Sequence, residues 1–210
     1  MSSTADLARP RTQKERRAAT RQLLLDTTLE CLAEFGYART TTQLICERSG
    51  LTRGAPQHYF STHEGLLAEA IDHLRQRVTS TYDLVIAGVP EGPRHAQDAL
   101  DVLWELFTGE LFRCSLELWV GGRTNPALAD KLAPVERELD RITMRLCRDL
   151  FPELAALAVF DQVLVLILSS IRGLALLEIV QPSGDGTDRW PLVRAELLRS
   201  IDHHIQAARS

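Results

Sequence analysis

One stretch of this chain, residues 40–60, constrains its fold more than any other. It reads TTTQLICERSGLTRGAPQHYF and combines two short helical patterns joined by Gly50 and Leu51. Thr40 and Gln43 have the three-residue spacing of a capping box, so the first helix is expected to begin there. Gly50 is expected to end that helix, because glycine adopts the left-handed conformation at low cost.

The second half of the stretch has the pattern of another short helix. Thr52 is a good N-cap for residues 53–59, and Phe60 is expected to turn into the core. Two short helices with a glycine turn between them form a helix-turn-helix, whose second helix enters the major groove of DNA. The stretch therefore predicts a DNA-binding unit.

Charge is distributed unevenly along the 210 residues. The whole chain has a net charge of −4, so it is not a nucleic-acid polycation. Residues 1–63 hold nine basic against six acidic residues, a net +3, which leaves −7 for residues 64–210. A basic head on an acidic body is typical of a protein with one DNA-facing domain.

Apolar positions recur at helical spacing almost throughout, and strand alternation is absent. The sequence therefore predicts an all-α protein. Besides the two short helices, we predict helices over residues 12–35, 61–86, 94–108, 110–120, 126–150, 154–180 and 190–208. Pro134 is a candidate kink in the fifth of these.

The longest apolar run lies in the helix predicted over residues 154–180. Charged residues such as Asp161 and Arg172 interrupt it, so a membrane span is not expected. A helix that is apolar nearly all round either runs through a domain centre or joins a subunit interface. The chain begins with polar residues rather than a signal peptide, and a cytoplasmic location is expected.

The four cysteines are far apart and lie in apolar helical patterns. Their spacing is not that of metal ligands, so we expect buried free thiols, no metal site and no cofactor. The first predicted helix carries a crowded basic run of Arg11, Lys14, Arg16, Arg17 and Arg21. That run is either a solvated helix face or an arm that approaches phosphates.

A longer run, GYARTTTQLICERSGLTRGAPQHYFSTHEGLL, resembles the N-terminal DNA-binding domain of TetR-family transcriptional repressors. The marks that carry the resemblance are Phe35-Gly36-Tyr37, the threonines 40–42, Gly50-Leu51-Thr52, Arg53-Gly54-Ala55 and His58-Tyr59-Phe60. The resemblance covers about residues 12–67, and the rest of the chain matches only as a helical body of suitable length.

The resemblance implies three parts of the chain. Residues 1–10 would be a disordered arm, residues 11–66 a helix-turn-helix domain, and residues 67–210 a helical ligand-binding and dimerisation domain. It also implies a homodimer, formed through the last two long helices, that binds a palindromic operator in double-stranded DNA and represses. A small-molecule effector, largely apolar, would release the DNA.

Three positions depart from the family pattern. Pro56 stands where a larger aliphatic residue is usual, and proline removes a helical amide bond. Gln57 replaces an aromatic residue and suits a bidentate contact with adenine. His63 replaces a lysine, and a neutral histidine is a weaker phosphate contact.

Arg53 is the leading candidate base reader, because arginine can bond guanine O6 and N7 together. The alternative is a phosphate contact or a solvated side chain, since most protein–DNA bonds go to the backbone. The full set of expected DNA-binding residues is Thr41, Thr42, Gln43, Thr52, Arg53, Gly54, Gln57, His58, Tyr59 and His63.

Large or polar groups on otherwise apolar helices are the candidates for a ligand site. They are Trp104, Phe107, Phe112, Leu116, Trp119, Met144, Leu166, Ser170, Arg172 and Leu174. Each of them has core packing as its alternative role. Arg172 could anchor an anionic ligand, pair with Asp161 or Glu178, or extend to solvent.

Two other functions compete with a regulator. One is a helical enzyme, although the sequence has no nucleophile paired with a base and no phosphate-binding glycine loop, so no catalytic residue is assigned. The other is an interaction module that has lost DNA binding, and Pro56 is the feature that favours it.

Overall fold

The computed structural model describes residues 12–90, 92, 94–182 and 188–209, so the predicted arm at residues 1–10 lies outside it. The described residues form helices and turns without a strand, which confirms the all-α prediction. The helices are α1 (Gln13–Phe35), α2 (Thr42–Ser49), α3 (His63–Gly88), α4 (His95–Thr108), α5 (Glu110–Gly122), α6 (Pro126–Leu150), α7 (Pro152–Ala155), α8 (Phe160–Val180) and α9 (Trp190–Arg209). Short 3-10 turns span Tyr37–Arg39 and Pro56–His58.

The chain divides into two compact units, residues 1–70 and 71–210. The division falls inside α3, four residues after the end of the helix-turn-helix domain expected from the sequence. In the first unit, α1 packs on α2 through a core in which Leu24, Leu29, Leu32 and Ile45 are fully buried. Leu24, Leu29 and Leu32 lie on the buried face of α1, whose apolar residues recur at three- and four-residue steps.

The capping box predicted at Thr40 and Gln43 is wrong. Thr41 caps α2 instead, and its Oγ1 accepts a hydrogen bond of 3.2 Å from the Leu44 amide. Thr40 is buried because the preceding 3-10 turn folds it back over the end of α1, where its Oγ1 donates to the Gly36 carbonyl at 2.8 Å. The Gln43 amide donates to the Glu47 carboxylate at 2.8 Å.

Helix α3 begins at His63, two residues after the predicted start. Thr62 precedes it, and its Oγ1 accepts a hydrogen bond of 2.9 Å from the Gly65 amide. The single helix predicted over residues 154–180 is also wrong, because α7 and α8 are separated by a tight turn at residues 156–159. That turn lets Leu154 and Phe160 both enter the core.

The core of the second unit lies where α4, α8 and α9 meet. Fully buried side chains of α4 and α8, such as Leu103 and Ile167, meet the apolar face of α9, which includes Ile201. The rings of Trp104 and Trp190 stack at its edge, with centroids 4.9 Å apart and planes 7° from parallel.

Helix α8 is buried on one face and open on the other, so the alternative that it runs through the domain centre is wrong. Its buried residues include Val163, Ile167 and Ile171. On the opposite face Leu166 is 49% exposed and Val180 is 76% exposed. By length and composition alone α8 is the one described helix that could cross a bilayer, with a mean hydropathy of 2.3 over its most apolar window.

Candidate nucleic-acid interface and ligand cavity

The second helix of the predicted helix-turn-helix is shorter than expected. Gly50 adopts the left-handed conformation (φ 70°, ψ 18°) and ends α2, as predicted. The backbone then makes a turn in which the Ala55 amide donates to the Thr52 carbonyl at 2.9 Å, followed by the 3-10 turn that begins at Pro56.

Proline chemistry explains this short turn. In an α-helix the Thr52 carbonyl would accept from the amide of residue 56, and proline has no amide hydrogen. The Ala55 amide donates to the Thr52 carbonyl instead, and this shorter hydrogen bond gives the backbone 3-10 geometry. The predictions of a helix over residues 53–59 and of a side-chain cap from Thr52 are therefore wrong.

Pro56 is buried, and its neighbours point away from the core. We refer to residues 52–59 as the recognition segment. Its exposed side chains are Thr52, Arg53, Gln57 and His58, and Gly54 is also exposed, whereas Tyr59 is half-buried. The segment therefore holds a guanidinium, an amide and an imidazole in solvent, all groups that can bond to bases or phosphates.

The start of α2 lies next to the start of α3. Thr42 Oγ1 and His63 Nδ1 are 3.3 Å apart, within hydrogen-bonding distance. Thr41 and Gln43 are exposed on either side of Thr42. Three expected DNA contacts on α2 and His63 on α3 thus belong to one small surface.

Two arginines of the basic run on α1 pack against aromatic rings at the end of the recognition segment, one on Tyr59 and one on Phe60, the residue that follows the segment. The Arg17 guanidinium lies 5.9 Å from the centre of the Tyr59 ring, and that of Arg21 lies 5.7 Å from the Phe60 ring. Arg21 also forms an ion pair with Glu69. These two arginines hold aromatic residues in place, while Lys14 and Arg16 remain exposed and Arg11 lies outside the described residues.

In the second unit a cavity lies among α3, α4, α5, α6 and α8. The centre of a water-sized sphere can occupy about 110 Å³ of it, well above the roughly 10–15 Å³ that a single water needs. Most of its wall is apolar. The lining residues are Val78, Thr81, Val85, Leu103, Leu106, Phe107, Leu111, Phe112, Ser115, Trp119, Glu136, Leu139, Asp140, Ile142, Thr143, Leu146 and Arg172.

Three aromatic side chains form one side of the cavity. Phe107 and Phe112 pack edge to face with centroids 5.2 Å apart, and Phe112 packs in the same way on Trp119 at 5.9 Å. The Arg172 guanidinium lies 5.0 Å from the centre of the Phe107 ring. Arg172 Nη2 is 4.0 Å from Asp140 Oδ1, a carboxylate that the sequence did not suggest as its partner.

Glu136 is an acidic residue of the cavity wall, and its surroundings shift the pKa of its carboxyl. Burial raises the pKa of the Glu136 carboxyl, and the charge of Asp140 raises it further. The Trp119 side chain and the Arg172 charge oppose that rise. The Trp119 effect is hydrogen bonding to this carboxyl, although Trp119 Nε1 lies outside the distance and angle of a well-formed hydrogen bond.

The structure brings four of the expected ligand residues together on the cavity wall, namely Phe107, Phe112, Trp119 and Arg172. The others lie off the lining. Trp104 stacks on Trp190, Leu166 is on the open face of α8, and Leu116, Met144, Ser170 and Leu174 are elsewhere on their helices.

Sequence reasoning missed Glu136 and Asp140. The signal that could have found them is on α6, where Glu136, Asp140 and Thr143 recur at the three- and four-residue spacing of the apolar Leu139, Ile142 and Leu146. A carboxylate inside such a stripe faces the same side as its apolar neighbours. Among the described residues, no cluster of three or more histidine, cysteine or acidic side chains has the arrangement of a metal site.

Comparison with known proteins finds a family model that matches part of the first unit. Residues 24–70 match the family model described as bacterial regulatory proteins of the tetR family. An HTH-type transcriptional regulator of Mycobacterium tuberculosis is 30% identical over 125 residues, which are 60% of this chain. The match spans 64% of that relative's length.

A longer match is to the HTH-type transcriptional regulator CymR of Pseudomonas putida, 29% identical over 85% of this chain and 89% of the relative. Two solved structures share the fold. A TetR transcription regulator of Haloarcula marismortui has a TM-score of 0.64 at 20% identity, covering 89% of this chain and 98% of its own. A transcriptional regulator of Saccharomonospora viridis in complex with choline has a TM-score of 0.62 at 19% identity, covering 89% and 97%.

Proposed function

This chain is a member of the tetR family of bacterial regulatory proteins, and we propose that it is a DNA-binding transcriptional regulator that represses as a homodimer and responds to a small molecule. The observation that carries the proposal is the recognition segment. Its buried Pro56 faces the core while Arg53, Gln57 and His58 face solvent. Such a segment can present side chains to base edges without exposing its apolar side.

Arg53 and Gln57 are the proposed base readers. Arginine matches guanine and glutamine matches adenine through paired hydrogen bonds in the major groove. The short 3-10 turn restricts how many residues can enter the groove, so these two side chains would carry most of the sequence readout. His58 and Gly54 would lie against the same groove.

Phosphate contacts are proposed for the residues around the two helix starts. Thr41 and Thr52 are exposed, and the amides at the start of α2 favour an anion. Gln43, Thr42, Tyr59 and His63 complete the set, with His63 positioned by its 3.3 Å contact with Thr42. Binding of this kind weakens steeply as salt rises, because each phosphate contact releases counterions.

We propose that the homodimer forms through α8 and α9. Six large apolar side chains of α8 are at least 42% exposed, and Leu192 at the start of α9 is 72% exposed. Exposed apolar side chains in this number favour a partner over water. A two-fold dimer places two recognition segments on the half-sites of a palindromic operator.

The cavity of the second unit is the proposed effector site. Apolar walls with a few polar groups are typical of small-molecule sites, and the Saccharomonospora viridis regulator that shares this fold was solved with choline. Binding there would release DNA. Since the DNA of a bacterium lies in the cytoplasm, we infer that the protein acts there.

Selection of bound fragments from the source genome tests the function and yields the operator. Arg53→Ala should then weaken binding to that operator by about 5- to 150-fold, equivalent to roughly 1–3 kcal/mol. It should leave binding to random DNA nearly unchanged. Arg141→Ala, which removes an exposed arginine paired with Glu138 on α6, is the control and should change neither. An equal loss on operator and random DNA would contradict base reading by Arg53.

The structure also holds one observation that favours the interaction module. Pro56 reduces the recognition segment to a turn rather than a full helix. A protein that retards no genomic fragment even at low salt would support that second function and overturn the first.

A further inference from the structure

The cavity wall carries more negative than positive charge. Glu136 and Asp140 are both acidic, and Arg172 is the one basic side chain among the described lining residues. The Arg172 guanidinium is paired with Asp140 at 4.0 Å. That pairing leaves the charge of Glu136 as the excess on the wall. A charged ligand loses its hydration when it enters a cavity, and an opposite charge that is still unmatched is what offsets this loss.

The surroundings of Glu136 are negative as well as partly buried. Burial has the largest effect on the pKa of its carboxyl and raises it, whereas hydrogen bonding from Trp119 lowers it. The charge of Asp140 raises that pKa by more than the charge of Arg172 lowers it. A positive charge beside Glu136 would oppose both of the effects that disfavour the carboxylate. The ionised side chain therefore gains from a cation and not from an anion.

Glu136 can accept more hydrogen bonds than Trp119 supplies. A carboxylate has about four acceptor positions on its two oxygens, and an indole has one N–H. Glu136 is half-buried and lines the cavity, so a ligand that enters can reach it. An ammonium group brings several N–H donors together with a positive charge. It therefore matches both the charge and the acceptor capacity of Glu136.

The aromatic side of the cavity also suits an organic cation. The Arg172 guanidinium already lies 5.0 Å from the centre of the Phe107 ring, so this wall accommodates a positive charge over an aromatic ring. Phe112 and Trp119 line the same cavity. Aromatic faces attract cations, and tryptophan does so most strongly. The remaining apolar wall can pack against the hydrophobic part of a ligand.

We propose that the cavity binds an organic ammonium ion, with its positive nitrogen beside Glu136 and its apolar body against Phe112 and Trp119. The ligand class is a lipophilic amine that is protonated at neutral pH. This assignment rests on the proposed function only in taking the cavity as the effector site. The binding itself is measurable without DNA.

Four matched probes test the assignment by calorimetric titration of the full-length protein at pH 7.5. 4-Ethylbenzylammonium carries the positive charge. 4-Ethylbenzyl alcohol replaces the ammonium by a neutral hydroxyl group, and 1,4-diethylbenzene replaces it by a methyl group. 4-Ethylbenzoate carries a negative charge. We expect the ammonium probe to bind at least about tenfold more tightly than each of the other three, because charge-assisted hydrogen bonds are stronger than neutral ones.

Two variants assign the charges. Glu136→Gln keeps the side-chain shape and removes the negative charge, so it should weaken 4-ethylbenzylammonium by about tenfold and leave 1,4-diethylbenzene unchanged. Arg172→Met keeps a long apolar side chain and removes the competing positive charge, so it should strengthen the ammonium probe by about threefold.

Glu138→Gln and Arg145→Met are the matched controls, since neither residue lines the cavity. Circular dichroism melts establish that each variant is folded. The gain expected in Arg172→Met decides the matter if Glu136→Gln does not fold, because damage to the site does not raise affinity.

Several results would overturn the proposal. They are an alcohol or 1,4-diethylbenzene that binds as tightly as the ammonium, tightest binding by 4-ethylbenzoate, no binding by any probe, an unchanged ammonium affinity in Glu136→Gln, or a weaker one in Arg172→Met. The effector role fails separately. If 4-ethylbenzylammonium binds the cavity but leaves the affinity for an isolated operator unaltered, the cation site stands and the cavity is not the regulatory site.

Discussion

Trp190 Nε1 donates a hydrogen bond of 2.7 Å to Asp101 Oδ1. The same carboxylate accepts from Arg194 Nη1 at 2.7 Å and 2.6 Å. Asp101 is on α4, and both donors are on α9, so a single carboxylate joins the two helices beside the stacked rings of Trp104 and Trp190. This arrangement is the main polar link in an otherwise apolar helix contact.

Loss of that carboxylate should destabilise the second unit. Asp101→Ala removes charge-assisted hydrogen bonds and leaves the indole donor of the buried Trp190 unpaired, which costs about 2 kcal/mol. Urea unfolding followed by circular dichroism measures the change. Glu105→Ala, an exposed acid on the same helix, should stay within about 0.5 kcal/mol of the parent. Equal effects of the two substitutions would show that Asp101 is not a structural link.

The turn before the recognition segment gives a second prediction. Gly50 has φ 70°, and a Cβ added there meets nothing within 4 Å, so only backbone strain opposes a side chain. Gly50→Ala should therefore cost about 1–2 kcal/mol, the price of a left-handed L-residue. A Cβ at Gly54 also enters open space, without the positive φ. Gly54→Ala should leave thermal stability nearly unchanged, and an equal loss in both variants would contradict the strain argument.

The helices were predictable because their apolar spacing and stop residues are local. The ends of α1, α5 and α6 lie within two residues of the prediction, since glycine and proline mark them. The start of α2 could not be predicted from the sequence. The choice between Thr40 and Thr41 as its N-cap depends on a 3-10 turn that buries Thr40 against the end of α1. Two adjacent threonines carry the same local signal, and tertiary packing selects between them.

The candidate sites were predictable to different degrees. The recognition segment was located from its sequence, but its 3-10 geometry was not predicted. That geometry arises because Pro56 has no amide hydrogen for the Thr52 carbonyl, which accepts from the Ala55 amide instead. Aromatic cavity residues stood out among apolar neighbours. Glu136 did not, because an acid on an amphipathic helix reads as solvent-facing unless the packing of α6 on α5 is known.

The apolar face of α8 gives a third prediction. Leu177 is 44% exposed there, and Leu177→Arg should place a charge in the proposed dimer interface, where burial without a partner is unfavourable. Sedimentation velocity should change from a dimer to a monomer at micromolar protein. Leu84→Arg replaces a leucine of α3 that is 75% exposed and should leave the dimer intact. A Leu177→Arg dimer of unchanged affinity would move the interface elsewhere.

The last prediction concerns pH. Burial raises the pKa of the Glu136 carboxyl above its ordinary value of 4.5, with a further contribution from Asp140, while Trp119 and Arg172 lower it. Between the unfolded and the folded pKa the native state binds more protons, so stability falls as pH rises through that window and remains lower above it. Glu136→Gln does not titrate and should be more stable than the parent at pH 7, with the difference shrinking toward zero below the unfolded pKa. Urea unfolding at fixed protein concentration from pH 4 to pH 8 measures it, with Glu138→Gln as the control on the same helix. A parent protein that is more stable than Glu136→Gln at neutral pH would mean that Trp119 and Arg172 stabilise the carboxylate by more than burial destabilises it.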